Sequence, residues 1–228
     1  MRRRETFIME RKKTKIAVLL SGGGTTYQHI QERLAAGEAD VETAVVISSR
    51  ADAYGLERAR SFGVPAFVVP RKEFNQHGDD AVAMFNRAML DIIEPYKPDL
   101  IVLAGFMCLL SPEFVDRYRG RIINTHPALI PAFCGHEYYG DRVHKAVVEY
   151  GVKVTGCTIH FVDEVYDNGP IILQQAVPVY DGDTYEEVAA RVQAAEKPLF
   201  FEAIKLFSEG ALEIRGRKVF RTGGGTER

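Results

Sequence analysis

Two side chains in the second half of the chain could stabilise an oxyanion and move a proton. Asn124 and His126 are two residues apart in the segment Asn124-Thr125-His126-Pro127, so on an extended backbone they face the same way. An amide N–H and an imidazole can jointly bind an oxygen that becomes negative, and histidine titrates near neutrality. The spacing alone fits a hydrogen-bonded polar pair without a catalytic role equally well.

A carboxylate that could assist the histidine is Asp167, which opens the segment Asp167-Asn168-Gly169-Pro170. Asp-Asn-Gly is strong turn chemistry, so a simple turn is one interpretation. A carboxylate beside a histidine would favour the protonated imidazole and fix the orientation of the ring. Because Asp167 is far from His126 along the chain, only the fold could bring the two side chains together.

A glycine-rich loop joins the first predicted strand to the first predicted helix and could bind an anion. Its residues are Gly22, Gly23, Gly24, Thr25 and Thr26. Such a loop turns tightly, so its N–H groups and two hydroxyls lie at the helix N-terminus. It lacks the GK[ST] of a Walker loop, and Tyr27 occupies the third glycine position of a dinucleotide fingerprint. We predict a phosphate site here; the alternative is a glycine turn without a ligand.

Three further positions have both a functional and an ordinary structural interpretation. His160 lies in an apolar predicted strand and is either a core histidine or a group that supports the site. The apolar segment Met107–Leu110, which includes Cys108 and Leu109, follows a strand end and is either core or a wall of a pocket for a flat aromatic ligand. Glu196, on the last predicted helix, could be only a solvated charge.

Metal chemistry is not predicted. Metal-ligand spacing is lacking for the histidines His29, His77, His136 and His144. The cysteines also lie far apart and form no CxxC motif; they are Cys108, Cys134 and Cys157. Their pattern argues against a disulfide framework and a Cys-rich zinc site, and it favours the reducing cytosol.

An α/β fold with a doubly wound, mostly parallel, Rossmann-like sheet is predicted to position these residues. Over residues 14–126, short apolar runs that end near glycine alternate with helical patterns, one of them over residues 80–96, as in βαβ units. The carboxyl ends of parallel strands form the functional edge of such sheets, where both the glycine loop and Asn124–His126 fall. Residues 127–211 begin with a loop at 127–141. Two extended segments follow, which we expect to join the sheet as an antiparallel addition. A long helix is predicted at 184–209.

Charge and composition set the broad class. The chain has 228 residues, of which 46% are hydrophobic and 26% are charged, and its net charge is −2. This composition is ordinary for a globular protein. We expect a single domain over residues 14–211. Lys and Arg are concentrated in residues 1–13, which we expect to be a disordered tail. The acidic remainder does not suggest nucleic-acid binding, and no run of about 18 apolar residues predicts a membrane span. Residues 212–228 are expected as a C-terminal extension, with one surface strand and a loose end.

Six segments of the chain form an ordered set. They are IAVLLSGGGTT (16–26), SSRADAYGLERAR (48–60), DLIVLAGFMCLLSPEFV (99–115), INTHPALIP (123–131), GCTIHFVDEVYDNGPIILQ (156–174) and VAARVQAAEKPLF (188–200). The set resembles the folate-dependent phosphoribosylglycinamide formyltransferases from Lys15 to about Ala211. Any one segment alone would not be specific, whereas the set in this order is.

The resemblance implies a role for each part of the site. The catalytic residues would be Asn124, His126 and Asp167. The Gly22–Thr26 loop and Glu196 would bind phosphoribosylglycinamide, and Met107–Leu110 with Asn124 would bind the folate. The reaction would move a formyl group from the co-substrate 10-formyltetrahydrofolate to the ribonucleotide amine in de novo purine synthesis, without a metal. The resemblance fits a cytoplasmic monomer or homodimer whose partners are these small molecules.

Several positions depart from the family pattern. Cys108 stands where the family typically has an arginine after the methionine. His77 stands near an arginine that many members place after the third strand, and we keep it as a folate-binding candidate. Lys197 follows Glu196 in place of a histidine, and the loop after Pro131 is a few residues longer than in shorter members. These departures affect individual folate contacts and leave the catalytic trio intact.

Functions from other classes stay open at this point. A formyltetrahydrofolate hydrolase has a similar catalytic half, but typically carries an N-terminal regulatory domain that we do not expect in the few residues before the first strand. Formyltransferases acting on methionyl-tRNA or nucleotide sugars share the Asn-x-His and Asp pattern and usually have a further C-terminal domain, for which residues after 211 are too few. A non-catalytic nucleotide- or folate-binding protein would not need the intact trio.

Overall fold

The computed structural model describes residues 12–222, so most of the tail predicted over residues 1–13 and the glycines at 223–225 lie outside the described residues. The strands are β1 (Thr14–Leu20), β2 (Val41–Ser48), β3 (Ala66–Val68), β4 (Leu100–Leu103), β5 (Ile122–His126), β6 (Val154–Phe161), β7 (Ile171–Pro178), β8 (Leu212–Arg215) and β9 (Lys218–Arg221). The α-helices are α1 (Thr25–Ala35), α2 (Gly55–Ser61), α3 (Ala81–Ile93), α4 (Pro112–Arg117), α5 (Asp141–Tyr150) and α6 (Tyr185–Ser208). Two 3₁₀ segments, Arg71–Asp80 and Glu94–Tyr96, flank α3.

The strands form one sheet in the order β3-β2-β1-β4-β5-β6-β7-β9-β8. The five strands from β3 to β5 are parallel, whereas β6 is antiparallel to both β5 and β7. The predicted α/β class, with a mostly parallel sheet and an antiparallel C-terminal addition, is therefore confirmed. The sheet runs through both predicted halves, 14–126 and 127–211; that they form a single domain stays a prediction.

Strand β1 lies inside the sheet between β2 and β4, and it separates two apolar layers. Its alternate residues face opposite sides: Ile16, Val18 and Leu20 pack with α1 and α6, and Ala17 and Leu19 pack with α3. All five side chains are fully buried. A strand covered on both faces must be apolar throughout, which explains the continuous run that predicted it.

Three local predictions need correction. The helix expected over 80–96 ends at Ile93 and continues as a 3₁₀ turn, because Pro95 has no N–H to donate. Helix α4 was not predicted; it is six residues long and begins where the Ser111 hydroxyl accepts a hydrogen bond from Phe114 N. The C-terminal segment, expected as one strand and a loose end, forms the β8–β9 hairpin within the described residues, and β9 adds to the sheet beside β7. None of the helices between residues 12 and 222 is long and apolar enough to cross a bilayer.

Candidate active site

Asn124 and His126 lie at the carboxyl end of β5 and, as alternate residues of one strand, project to the same side. His126 is 2% exposed and Asn124 is half-buried. Opposite Asn124 in the ladder is His160 of β6, whose Nε2 lies 3.4 Å from Asn124 Nδ2. The register of the β5–β6 pair thus brings three of the predicted site residues together.

Both ring nitrogens of His126 have partners. Nε2 lies 2.7 Å from the backbone oxygen of Phe133, and Nδ1 lies 3.3 Å from Asp167 Oδ2. A carbonyl oxygen only accepts hydrogen bonds, so Nε2 carries a hydrogen and Nδ1 faces the carboxylate. The fold therefore joins His126 to Asp167, as the catalytic interpretation requires.

Asp167 lies in the β6–β7 loop, with a backbone φ of 49° and a side chain that is 12% exposed. Its Oδ2 accepts a hydrogen bond from Gly135 N at 3.0 Å. The loop is held by Asn168, which donates to Asp163 Oδ2 at 2.9 Å and accepts from Arg217 Nη1 at 3.0 Å. These contacts fix the position of the loop that carries Asp167.

His160 orients Asn124. Burial lowers the pKa of His160, so the ring is neutral near pH 7, although the Phe161 backbone and Asp167 favour its charged form. Its Nδ1 donates to the oxygen of Phe161 at 2.8 Å, which leaves Nε2 as an acceptor for the amide of Asn124. His160 Nε2 is also 3.8 Å from Asp167 Oδ1. A supporting role, as predicted, fits this geometry.

The glycine loop has the backbone of an anion site. Gly24 has φ 71°, and a Cβ on it would lie 2.6 Å from Gly55 Cα, so glycine is required there. Gly55 N donates to Gly22 O at 3.1 Å, and Arg58 Nε donates to Gly23 O at 2.8 Å. Within residues 12–222 no side chain caps the N-terminus of α1. The first N–H groups of that helix therefore point outward at an exposed loop, ready for an anion.

Ser21 links the glycine loop to the predicted folate segment. Its hydroxyl lies 2.7 Å from the hydroxyl of Ser49 and accepts a hydrogen bond from Met107 N at 2.9 Å. Ser21 N also donates to Gly105 O at 3.0 Å. The start of Met107–Leu110 is thus tied to the carboxyl end of β1, beside the loop.

A cavity of about 680 Å³ opens over Asn124, His126 and Asp167. Its walls include the predicted residues Met107, Cys108, Leu109, Leu110, Asn124, His126, His160 and Asp167. Sequence reasoning missed the opposite wall, formed by residues 135–140 with Arg142 and by residues 162–166. The only available signal was the richness of residues 127–141 in Tyr, Gly and Pro. Gly22–Thr26, Glu196 and His77 are not among the lining residues.

Glu196 stands between the glycine loop and the catalytic strand. Burial raises the pKa of Glu196 to about 7, while the nearby hydroxyls of Thr125 and Thr26 favour the charged form. Thr26 belongs to the glycine loop and Thr125 lies between Asn124 and His126. A molecule that reaches from the loop to the cavity would therefore pass close to Glu196.

Two candidates have surroundings that limit what they can do. His77 is exposed on the Arg71–Asp80 segment, with its ring 6.3 Å from that of Phe74. Cys108 is half-buried in the cavity wall, and desolvation raises the pKa of its thiol. A protonated thiol is a poor nucleophile, so these surroundings do not favour a nucleophilic role for Cys108.

The described residues contain no group of three or more His, Cys, Asp or Glu side chains arranged to hold a metal ion. The β-sheet, the glycine loop and the Asn–His–Asp cluster are together the features expected of an enzyme that transfers formyl groups. A family model described as "Formyl transferase" matches residues 14–204. The chain belongs to the formyl transferase family.

Relatives that the chain spans almost completely include phosphoribosylglycinamide formyltransferases, which confirms the resemblance seen in the sequence. The protein of that name from Haemophilus influenzae is 40% identical over 92% of this chain and 94% of its own length. The crystal structure of glycinamide ribonucleotide transformylase 1 from Symbiobacterium toebii has a TM-score of 0.86 at 42% identity, covering 96% of this chain and 99% of that one. The chain is also 38% identical, over 92% of its length, to the Bos taurus trifunctional purine biosynthetic protein adenosine-3, of which it spans 20%.

Proposed function

We propose that this chain transfers the formyl group of 10-formyltetrahydrofolate to the amine of 5-phosphoribosylglycinamide, a step of de novo purine synthesis. The observation that carries the proposal is the buried contact between His126 and Asp167, next to Asn124, at the base of a cavity. The chain's family and the names of its full-length relatives support the same reaction.

The two substrates would bind on adjoining surfaces. The phosphate of the ribonucleotide would accept hydrogen bonds from the Gly22–Thr26 loop, and Glu196 would accept hydrogen bonds from its sugar hydroxyls. The flat ring of the folate would enter the cavity along Met107–Leu110. The amine and the formyl carbon would then meet beside Asn124 and His126, and this positioning itself lowers the barrier.

The amine nitrogen would attack the formyl carbon directly, forming a C–N bond and placing a negative charge on the formyl oxygen. The amide of Asn124 and the protonated ring of His126 would stabilise that oxyanion; one such donor is typically worth roughly 10²–10³ in rate. The bond from carbon to folate N10 then breaks and the carbonyl re-forms. The proton lost by the amine goes to N10, and Asp167 and His126 would handle this transfer, a contribution of roughly 10²–10⁴.

The test is to follow the absorbance change of the folate on mixing the protein with 10-formyltetrahydrofolate, with and without the ribonucleotide. Turnover that requires the ribonucleotide supports the transferase. Equal turnover without it would make the chain a formyltetrahydrofolate hydrolase, and the phosphate role of Gly22–Thr26 would then be wrong. Saturable binding of both molecules without turnover would indicate a non-catalytic binding protein.

We also propose that the protein acts in the cytoplasm as a monomer or homodimer, without a metal, a nucleic acid or a membrane as partner. Its cysteine pattern and the acidic charge of residues beyond the basic tail support this view. Light scattering of the purified protein, and activity measured after treatment with a chelator, test the oligomeric state and the metal independence.

A further inference from the structure

Arg142 lies at the mouth of the cavity on a wall that the proposed mechanism does not use. It is exposed in the first turn of α5, and its Cζ lies 4.8 Å from the ring centroid of Tyr139. Gly140, between these two, has φ 53°, and a Cβ placed on it would lie 4.0 Å from Met107 Cε. The turn that carries Arg142 therefore stands beside the start of Met107–Leu110.

Arg142 also has an unusual charge environment. Among the described residues that line the cavity it is the one Lys or Arg, and the acidic ones are Glu137, Asp163, Glu164 and Asp167. Three of these acids already have partners: Glu164 with Arg119, Asp163 with Asn168, and Asp167 with His126. No acidic side chain in the described part of the chain forms an ion pair with Arg142. The guanidinium is thus stacked, pre-oriented and available to an anion.

We propose that Arg142 binds the glutamate carboxylates of the folate tail and so sets the preference for glutamylated donors. The inference rests on the proposed function, because it takes 10-formyltetrahydrofolate as the donor. With the flat ring among apolar residues, the benzoylglutamate end must leave through the mouth of the cavity. A stacked guanidinium offers a planar fork of N–H donors that matches a carboxylate, and it loses little freedom on binding.

The test compares two formyl donors in the Arg142→Gln variant. One donor is 10-formyltetrahydrofolate, and the other is 10-formyltetrahydropteroate, which lacks the glutamate. We expect the KM for the first donor to rise about three- to tenfold with kcat nearly unchanged, since ion pairs at an exposed rim contribute modestly. The KM values for the second donor and for the ribonucleotide should not change. Salt should shrink the advantage of the wild-type protein, because it screens an exposed ion pair.

Lys145 provides a matched control on the same helix. It is exposed, lies 4.6 Å from the ring centroid of Tyr185 and does not line the cavity, so Lys145→Gln removes the same charge and should leave every KM unchanged. Equal effects of Arg142→Gln on both donors, an effect on the ribonucleotide KM instead, or an equal effect of Lys145→Gln would overturn the assignment. A wild-type protein that transfers formyl from neither donor would overturn the proposed function first, and the assignment with it.

Discussion

A backbone atom holds the ring of His126, because its Nε2 lies 2.7 Å from the carbonyl oxygen of Phe133. The orientation of the ring therefore depends on the path of the loop after β5 as well as on the side chain of Asp167. That loop is tied to the sheet by Thr158, whose hydroxyl donates to Ala128 O at 2.7 Å and accepts from Ile130 N at 3.1 Å. The Nδ1 atom is left to face Asp167 and the cavity.

Replacing Asp167 with Asn should abolish most of kcat while leaving the fold intact. The amide oxygen can still accept the hydrogen bond from Gly135, but the carboxylate that faces His126 Nδ1 is lost. We expect kcat to fall by roughly 10²–10⁴, with a much smaller change in either KM. Steady-state kinetics and circular dichroism of the variant check this, and a kcat close to the wild-type value would remove Asp167 from the mechanism.

His160 should act through Asn124, and a double-mutant cycle can separate the two. Asn124→Ala should lower kcat by roughly 10²–10³ through loss of an oxyanion donor. His160→Gln should lower it less, because the amide of Asn124 becomes poorly oriented. When Asn124→Ala is already present, adding His160→Gln should lower kcat almost no further. Additive losses in the double variant would mean that His160 acts on the reaction independently.

Gly24→Ala should damage the phosphate site more than an ordinary glycine substitution does. Its Cβ would both adopt a left-handed backbone and collide with Gly55, so the free energy of unfolding should fall by about 2–4 kcal/mol and the KM for the ribonucleotide should rise at least about tenfold. Gly37→Ala is the matched control: its φ is 75° and no described atom lies within 4 Å of the added Cβ. Gly37→Ala should lower the free energy of unfolding by about 1–2 kcal/mol and leave the KM for the ribonucleotide unchanged. Chemical denaturation and kinetics compare them, and identical behaviour would argue against a phosphate at this loop.

Glu196 should make the free energy of unfolding of the protein depend on pH. Its folded pKa of about 7 lies above the ordinary value of 4.5, so the folded state binds more protons than the unfolded state between these values. Folding stability contributed by this group therefore falls as the pH rises from about 4.5 to 7, by an amount of order 2 kcal/mol. Glu196→Gln should remove this dependence and stabilise the protein more at pH 8 than at pH 5. If the free energy of unfolding had the same pH dependence in the wild-type protein and in the Glu196→Gln variant, this role of Glu196 would be wrong.

The sequence predicts those parts of the site that depend on periodicity and on special backbone geometry. Alternation along β5 puts Asn124 and His126 on one side, and the glycines mark the turn before α1. The sequence does not predict Phe133 O and Gly135 N as partners of the cluster, because main-chain groups carry no side-chain signature. It also misses Arg142, because the direction in which the first turn of α5 faces depends on the path of the loop before it. The raised pKa of Glu196 depends on burial, which only the packed α6 creates.

The β8–β9 hairpin lies beyond residue 204, where the family match ends, yet its Arg217 donates a hydrogen bond to Asn168, the neighbour of Asp167. The Asn–His–Asp cluster and the segment that steadies the Asp167 loop thus lie on opposite sides of the end of the family match. Change in the hairpin could adjust how firmly Asp167 is held without altering any group that touches a substrate. The firmness with which the carboxylate is held is thus open to adjustment at Arg217, a residue that does not line the cavity.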